Sequence, residues 1–162
     1  MNTSNVDSKP KIRKETKNNI KYRIDSINQE EFSLNIEGVD LSNMNDLTLK
    51  FQYKMETLLK MNEDLILVKP SVRLLYNESP VLTASVIVSY SVQTLDNAFS
   101  IDRDNQQINI KADILPSFIG AAYSTLRGIV YARTIDTPLA TYPIPMIELQ
   151  TLISKNAISV EE

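Results

Sequence analysis

Between Leu47 and Met61 apolar and polar residues alternate almost without a break. Leu47, Leu49, Phe51, Tyr53, Met55, Leu59 and Met61 fall in one phase, and Thr48, Lys50, Gln52, Lys54 and Glu56 in the other. An extended chain turns successive side chains to opposite faces, so this stretch predicts a long, half-buried strand. Asn62-Glu63-Asp64 supplies turn residues, and the chain returns from Leu65 to Tyr76 with Ile66, Val68, Val72, Leu74 and Tyr76 in phase. Pro70 interrupts this second run. It cannot donate to a ladder, which predicts an edge position or a bulge. After Asn77-Glu78-Ser79-Pro80, the set Leu82, Ala84, Val86, Val88, Tyr90 and Val92 predicts a third strand, rich in β-branched residues. Upstream, Ile20–Ile24 and Phe32–Ile36 read as one bent strand or two short ones.

The last third of the chain changes period. Leu115, Ile119, Ala122, Leu126 and Ile129 recur at three- and four-residue steps, the apolar stripe of one long helix. On its other side Gly120, Ser124, Gly128 and Ala132 fall four residues apart, and small residues let a second backbone approach. Each helical glycine costs about 1 kcal/mol against alanine, so the row asks for a packing reason. A neighbouring subunit is the reading favoured by the wheel, and the protein's own sheet is the competing one. A helix with two contact faces predicts an oligomer. Pro138 and Tyr142-Pro143-Ile144-Pro145-Met146 then form a crossing segment that leads into a short second helix.

Strands first and helices last define an α+β fold, expected as a four-stranded antiparallel meander with one long and one short C-terminal helix packed on one face. Residues 20–154 form the single domain of this reading. Residues 1–19 are a basic, disordered arm carrying Lys9, Lys11, Arg13, Lys14 and Lys17, and residues 155–162 a polar acidic tail ending in Glu161-Glu162. Strands of about fifteen residues span roughly 50 Å. A helix of about twenty residues covers roughly 30 Å. Such a helix cannot roof such a sheet, so apolar sheet surface remains for a second subunit or a ligand.

Composition narrows the chemistry. The chain has no cysteine and no histidine, so thiolate nucleophiles, disulfides, imidazole bases and the usual zinc ligands are absent. Its three glycines leave no material for a phosphate-cradling loop. Asp96, Asp102, Asp104 and Asp113 have neither EF-hand nor other metal spacing and read as a polar connection between strand and helix. Glu63-Asp64 reads as a solvated turn. No cofactor, no metal site and no enzymatic activity are expected. No apolar run suits a bilayer, and the N-terminus lacks the apolar stretch of a secretory signal, so no membrane insertion and a cytoplasmic location are expected. The basic arm raises nucleic-acid binding, but the net charge of −3 makes the rest of the chain acidic and argues against it.

Ile114-Leu115-Pro116, the long helix with Arg127-Gly128, and Pro143-Ile144-Pro145-Met146 before a last helix resemble the SecB-type export chaperones. Ile20-Lys21-Tyr22-Arg23-Ile24 followed by Glu31-Phe32-Ser33-Leu34 is similar to the start of that family's first strand. The resemblance spans roughly Ile20 to Ser154 and rests on pattern and element order. It implies a four-stranded antiparallel sheet with two helices, assembled as a homodimer or homotetramer with the long helices between the sheets. It also implies an ATP-independent holdase that binds unfolded polypeptides in apolar grooves. Export members pass clients to a SecA motor, and others serve toxin–antitoxin systems, so an adaptor with one dedicated partner is the alternative reading. Glu31 matches one acidic position that contacts SecA in the family, whereas Asn35 stands at the next.

A holdase needs adaptable apolar surface rather than reacting groups. Phe32, Leu34, Phe118, Tyr142, Ile144 and Met146 are the candidate client groove, with ordinary core packing the competing reading for each. Gly120, Ser124, Gly128 and Ala132 are the candidate oligomer face, and Glu31 the candidate partner contact. Tyr123, Arg127 and Tyr131 share one flank of the helix, as a cation–π ladder or an amphipathic fringe.

Overall fold

The computed structural model describes residues 20–43, 48–93, 95, 98–102, 107–110 and 114–161. The basic arm and Asp96, Asp104 and Asp113 lie outside them. Four long strands come first: β1 (Tyr22–Leu34), β2 (Leu49–Lys60), β3 (Leu65–Tyr76) and β4 (Ser79–Val92). A small hairpin of β5 (Phe99–Asp102) and β6 (Gln107–Ile110) occupies the stretch expected to be a plain polar connection. Helix α1 (Leu115–Thr134), helix α2 (Leu149–Ser154) and strand β7 (Asn156–Glu161) complete the chain.

The sheet departs from a four-stranded meander in two ways. Its order is β1-β4-β3-β2-β7, so β2, β3 and β4 form the meander while β1 lies beyond β4. The fifth strand, β7, runs parallel to β2 and makes the sheet mixed. Residues 156–161 are thus a strand rather than the expected acidic tail. Asn156, Ile158 and Val160 are partly buried while Ala157, Ser159 and Glu161 are exposed. Three such pairs make a short alternation, and the closing glutamates hide it.

β1 accounts for the two fragments seen in its sequence. Its residues opposite the helix-side row of β4 are Tyr22, Ile24, Ile27, Gln29, Phe32 and Leu34. The spacing runs two, three, two, three, two, because bulges at Ile24/Ser26 and Gln29/Glu31 each absorb one residue. A bulge resets the phase of alternation and so keeps the apolar residues on one face.

Pro70 is interior, between β2 and β4, and not at an edge. Thr48 O accepts from Asn77 N at 3.3 Å, so even-numbered residues of β2 turn their backbone groups toward β3. Odd-numbered ones turn away, as Thr57 O does toward Ser159 Oγ at 3.5 Å. Pro70 sits opposite odd-numbered Met55, where no β2–β3 bond is needed. Its missing N–H falls on the β4 side, and the β3–β4 ladder passes over Lys69 and Pro70 between Val68↔Val88 and Ser71↔Ser85.

The core lies between the sheet and α1. Met55 and Leu59 of β2, Ile66, Val68 and Val72 of β3, and the even-numbered residues of β4 meet Leu115, Ile119, Ala122 and Leu126 of the helix. At β1 the roof ends. Tyr22, Ile24 and Ile27 remain about half exposed, so apolar sheet surface is left uncovered along an edge strand.

Candidate binding cleft

The proline segment after α1 shapes the site. Thr134 ends the helix buried, and Thr137 Oγ1 donates to its carbonyl at 2.8 Å while accepting from Leu139 N at 3.2 Å. A single turn, Pro138–Thr141, then reverses the chain. The following segment cannot build a ladder, because Pro143 and Pro145 have no N–H. Its carbonyls go to the helix instead. Arg127 Nε donates to Ile144 O at 3.1 Å, and the Tyr123 hydroxyl donates to Pro145 O at 3.0 Å. Burial pushes the Tyr123 phenol up to about 12. Tyr123 and Arg127 are therefore clamps on the crossing segment and not a cation–π ladder. Their four-residue spacing, opposite a proline-rich stretch rich in unpaired carbonyls, was the available signal.

Held off the sheet this way, the segment closes one side of an apolar cleft of about 440 Å³. Leu49, Phe51, Leu74 and Leu82 form the sheet wall, Val130, Tyr131 and Thr134 the helix wall, and Leu139 with Thr141 to Pro145 the third. None of these side chains is charged. Tyr131 is about half exposed at the mouth.

The candidate groove residues separate. Tyr142 and Ile144 line the cleft, Ile144 as a buried member of the core cluster. Phe118 does not: it is buried, stacked on Tyr90 with centroids 4.1 Å apart and met edge-on by Tyr22 at 4.8 Å. It faces the sheet because it is one step from Ile119 on the same stripe, and the Tyr90 hydroxyl donates to its carbonyl at 3.1 Å. Phe32 lies under the Arg133 guanidinium, 4.6 Å from its centroid, and Leu34 packs against the core. Met146 stands 82% exposed beyond the cleft lining. Leu49, Phe51, Leu74, Leu82, Val130 and Leu139 were not singled out from sequence, because each also fits a plain core pattern.

On the small-residue row, Ser124, Gly128 and Ala132 are exposed. A Cβ on Gly128 would meet nothing within 4 Å, whereas one on Gly120 would sit 3.6 Å from Leu149 Cδ1. Gly120 therefore faces α2 of its own chain and not its sheet. Glu31 is exposed on the opposite face of the sheet, in an open polar depression with Lys69, Arg73 and Glu56. There Lys69 Nζ pairs with Glu30 Oε2 at 2.5 Å, and Ser85 Oγ donates to the same oxygen at 3.3 Å. The lysine hydrogen bond holds the Glu30 carboxyl below its usual range.

Among the described residues no three acidic side chains gather as a metal site, and no helix is long and apolar enough to cross a membrane. No protein-family model matches the chain, and no curated protein matches it in sequence.

Proposed function

We propose that this protein is an ATP-independent holdase of the SecB type, binding unfolded polypeptides in the cleft between α1, the proline segment and the sheet. The observation that carries the reading is the cleft itself: uncharged, open at Tyr131, and walled, apart from Thr134 and Thr141, by aliphatic, aromatic and proline side chains. Such a surface takes many apolar sequences and has no means of acting on them. Burial of apolar area contributes about 25 cal/mol per Å² whatever the sequence buried. Four antiparallel strands roofed by a long helix, with a short helix after a proline crossing, also support the resemblance.

Assembly belongs to the same reading. The half-exposed Tyr22, Ile24 and Ile27 on an edge strand, with exposed Ile135 just past the end of α1, favour a homodimer or homotetramer. A SecA-type motor or a toxin–antitoxin pair is the downstream partner in this proposal, with Glu31 as a contact, and the cytoplasm is where it operates.

Light scattering tests it. Several chemically unfolded clients are diluted with and without stoichiometric protein, no nucleotide present. Suppression is expected, and Tyr131→Ser/Tyr142→Ser should lose most of it while remaining folded by circular dichroism. Unchanged scattering across all clients, from a folded oligomer, overturns the holdase and leaves an adaptor with one dedicated partner.

A further inference from the structure

The cleft adjoins an unfilled strand position. β7 covers the outer edge of β2 only from Met55 to Lys60, and from Leu49 to Lys54 no strand lies beyond β2 among the described residues. By the parity set at Thr48 and Thr57, the odd-numbered residues of this stretch direct N–H and C=O outward. At Tyr53 the Lys155 ammonium lies over the ring, 4.9 Å from its centroid, where the run of β7 begins. Leu49 and Phe51 are different. The same two residues offer backbone that no described strand pairs at the edge, and apolar side chains in the cleft wall.

What that edge takes is visible one step along it. β7 is an extended segment whose Ile158 and Val160 turn partly inward while Ala157, Ser159 and Glu161 face out. It continues the sheet through its backbone and packs by alternate side chains. The next stretch of the edge has the same backbone polarity and a deeper apolar wall.

We infer that the cleft holds its polypeptide as an added strand. An extended segment pairs its main chain with Leu49 and Phe51, in line with β7, and sets alternate apolar side chains between the sheet and the proline segment. This deepens the reading above and rests on it. It assigns the ligand class: unfolded chain in extended form, apolar and polar residues alternating, with free amide groups along one edge. Main-chain pairing gives affinity without regard to sequence, and the alternating pockets give the preference.

The test uses three fluorescent peptides of one alternating eight-residue sequence and the full-length protein. One is unmodified, one is N-methylated at its apolar positions and one at its polar positions, so that each modified peptide loses the donors of one edge. Anisotropy should show one N-methylated isomer weakened at least tenfold and the other close to the parent. Equal binding by all three, or equal loss in both isomers, overturns the added strand while leaving a peptide-binding cleft. No binding by the parent overturns the cleft reading itself, and the inference with it. Amide hydrogen exchange is the second readout. Saturating parent peptide should slow Leu49 and Phe51 at least tenfold and leave Lys50 and Gln52, already paired with β3, unchanged. If Leu49 and Phe51 are as protected as Lys50 and Gln52 in the free chain, the edge is already filled and the inference fails.

Discussion

The first residue of β7 carries a flaw whose removal should strengthen the strand. Thr57 is 1% exposed and its Oγ1 donates to Asn156 Oδ1 at 3.0 Å, while Asn156 Nδ2 is buried with no partner. Whichever end of the amide meets Thr57, the other end is unsatisfied. A buried unpaired donor costs about 1–3 kcal/mol, and a made hydrogen bond contributes only about 1 kcal/mol net. Thr57→Val breaks the bond and strands both ends of the amide, so about 2 kcal/mol should be lost. Asn156→Val removes the unpaired donor but strands the buried hydroxyl, and the two effects should roughly cancel. The double variant removes all three polar groups, forfeits one bond and relieves one orphan, and should gain about 1 kcal/mol. Valine also suits a strand. Urea unfolding of the four proteins, at one fixed protein concentration, measures the cycle. A double variant less stable than Thr57→Val alone would refute the reasoning, because the Asn156 amide would then be contributing interactions beyond Thr57.

Other substitutions test other steps. Gly128→Ala meets no atom within 4 Å, so helix propensity should raise the stability of the single chain by about 1 kcal/mol in thermal unfolding; if this face joins subunits, sedimentation should show weaker assembly in the same variant. At the β3–β4 turn Asn77 and Glu78 have φ of 49° and 65°, a backbone that glycine adopts without strain. Glu78→Gly gives up an exposed pair with Lys50, worth little, and should still raise stability by about 0.5–1 kcal/mol; a fall in melting temperature would contradict it. Burial pushes the Tyr90 and Tyr123 phenols up to about 12, above the unfolded value near 10. The unfolded chain therefore loses these protons first, and stability present below pH about 10 should fall as pH rises toward about 12. Tyr123→Phe should flatten part of that decline, read from urea midpoints against pH.

The strands β2, β3 and β4 were legible because each carries apolar residues in one phase over most of its length, and α1 because its stripe runs unbroken from Leu115 to Leu126. What escaped the sequence has physical causes. β1 reads as one bent strand or two short ones, and proves to be the first, because two bulges put its apolar residues at spacings of two and three, a rhythm that matches neither strand nor helix. β7 is too short for alternation to outweigh its charged end. Pro70 was misplaced because a proline inside a sheet needs only its own N–H side free, and which side that is depends on register, which the sequence does not state. The site was harder. Phe118 and Tyr142 are both aromatic residues beside apolar stretches, yet one is stacked under the helix and the other lines a cleft. The difference comes from the Tyr123 and Arg127 clamps, which lift the proline segment away from the sheet, and such a contact joins residues roughly twenty apart.

Magnitudes tie the cleft to assembly on the proposed reading. If a client segment buries about 200 Å² of apolar surface in one cleft, it gains about 5 kcal/mol. Ordering each side chain costs about 0.5–1.5 kcal/mol, and loss of overall motion costs more. Two edge hydrogen bonds return about 1 kcal/mol each. One cleft alone is then a weak site, released as easily as it is filled, and retention of a long unfolded chain requires several clefts on one particle. The sheet order makes the two demands compatible. β1, with its uncovered Tyr22, Ile24 and Ile27, is at one edge, and the open stretch of β2 is at the other, beside β7. Subunits joined through β1 would leave Leu49 and Phe51 free, so assembly adds clefts without closing any of them.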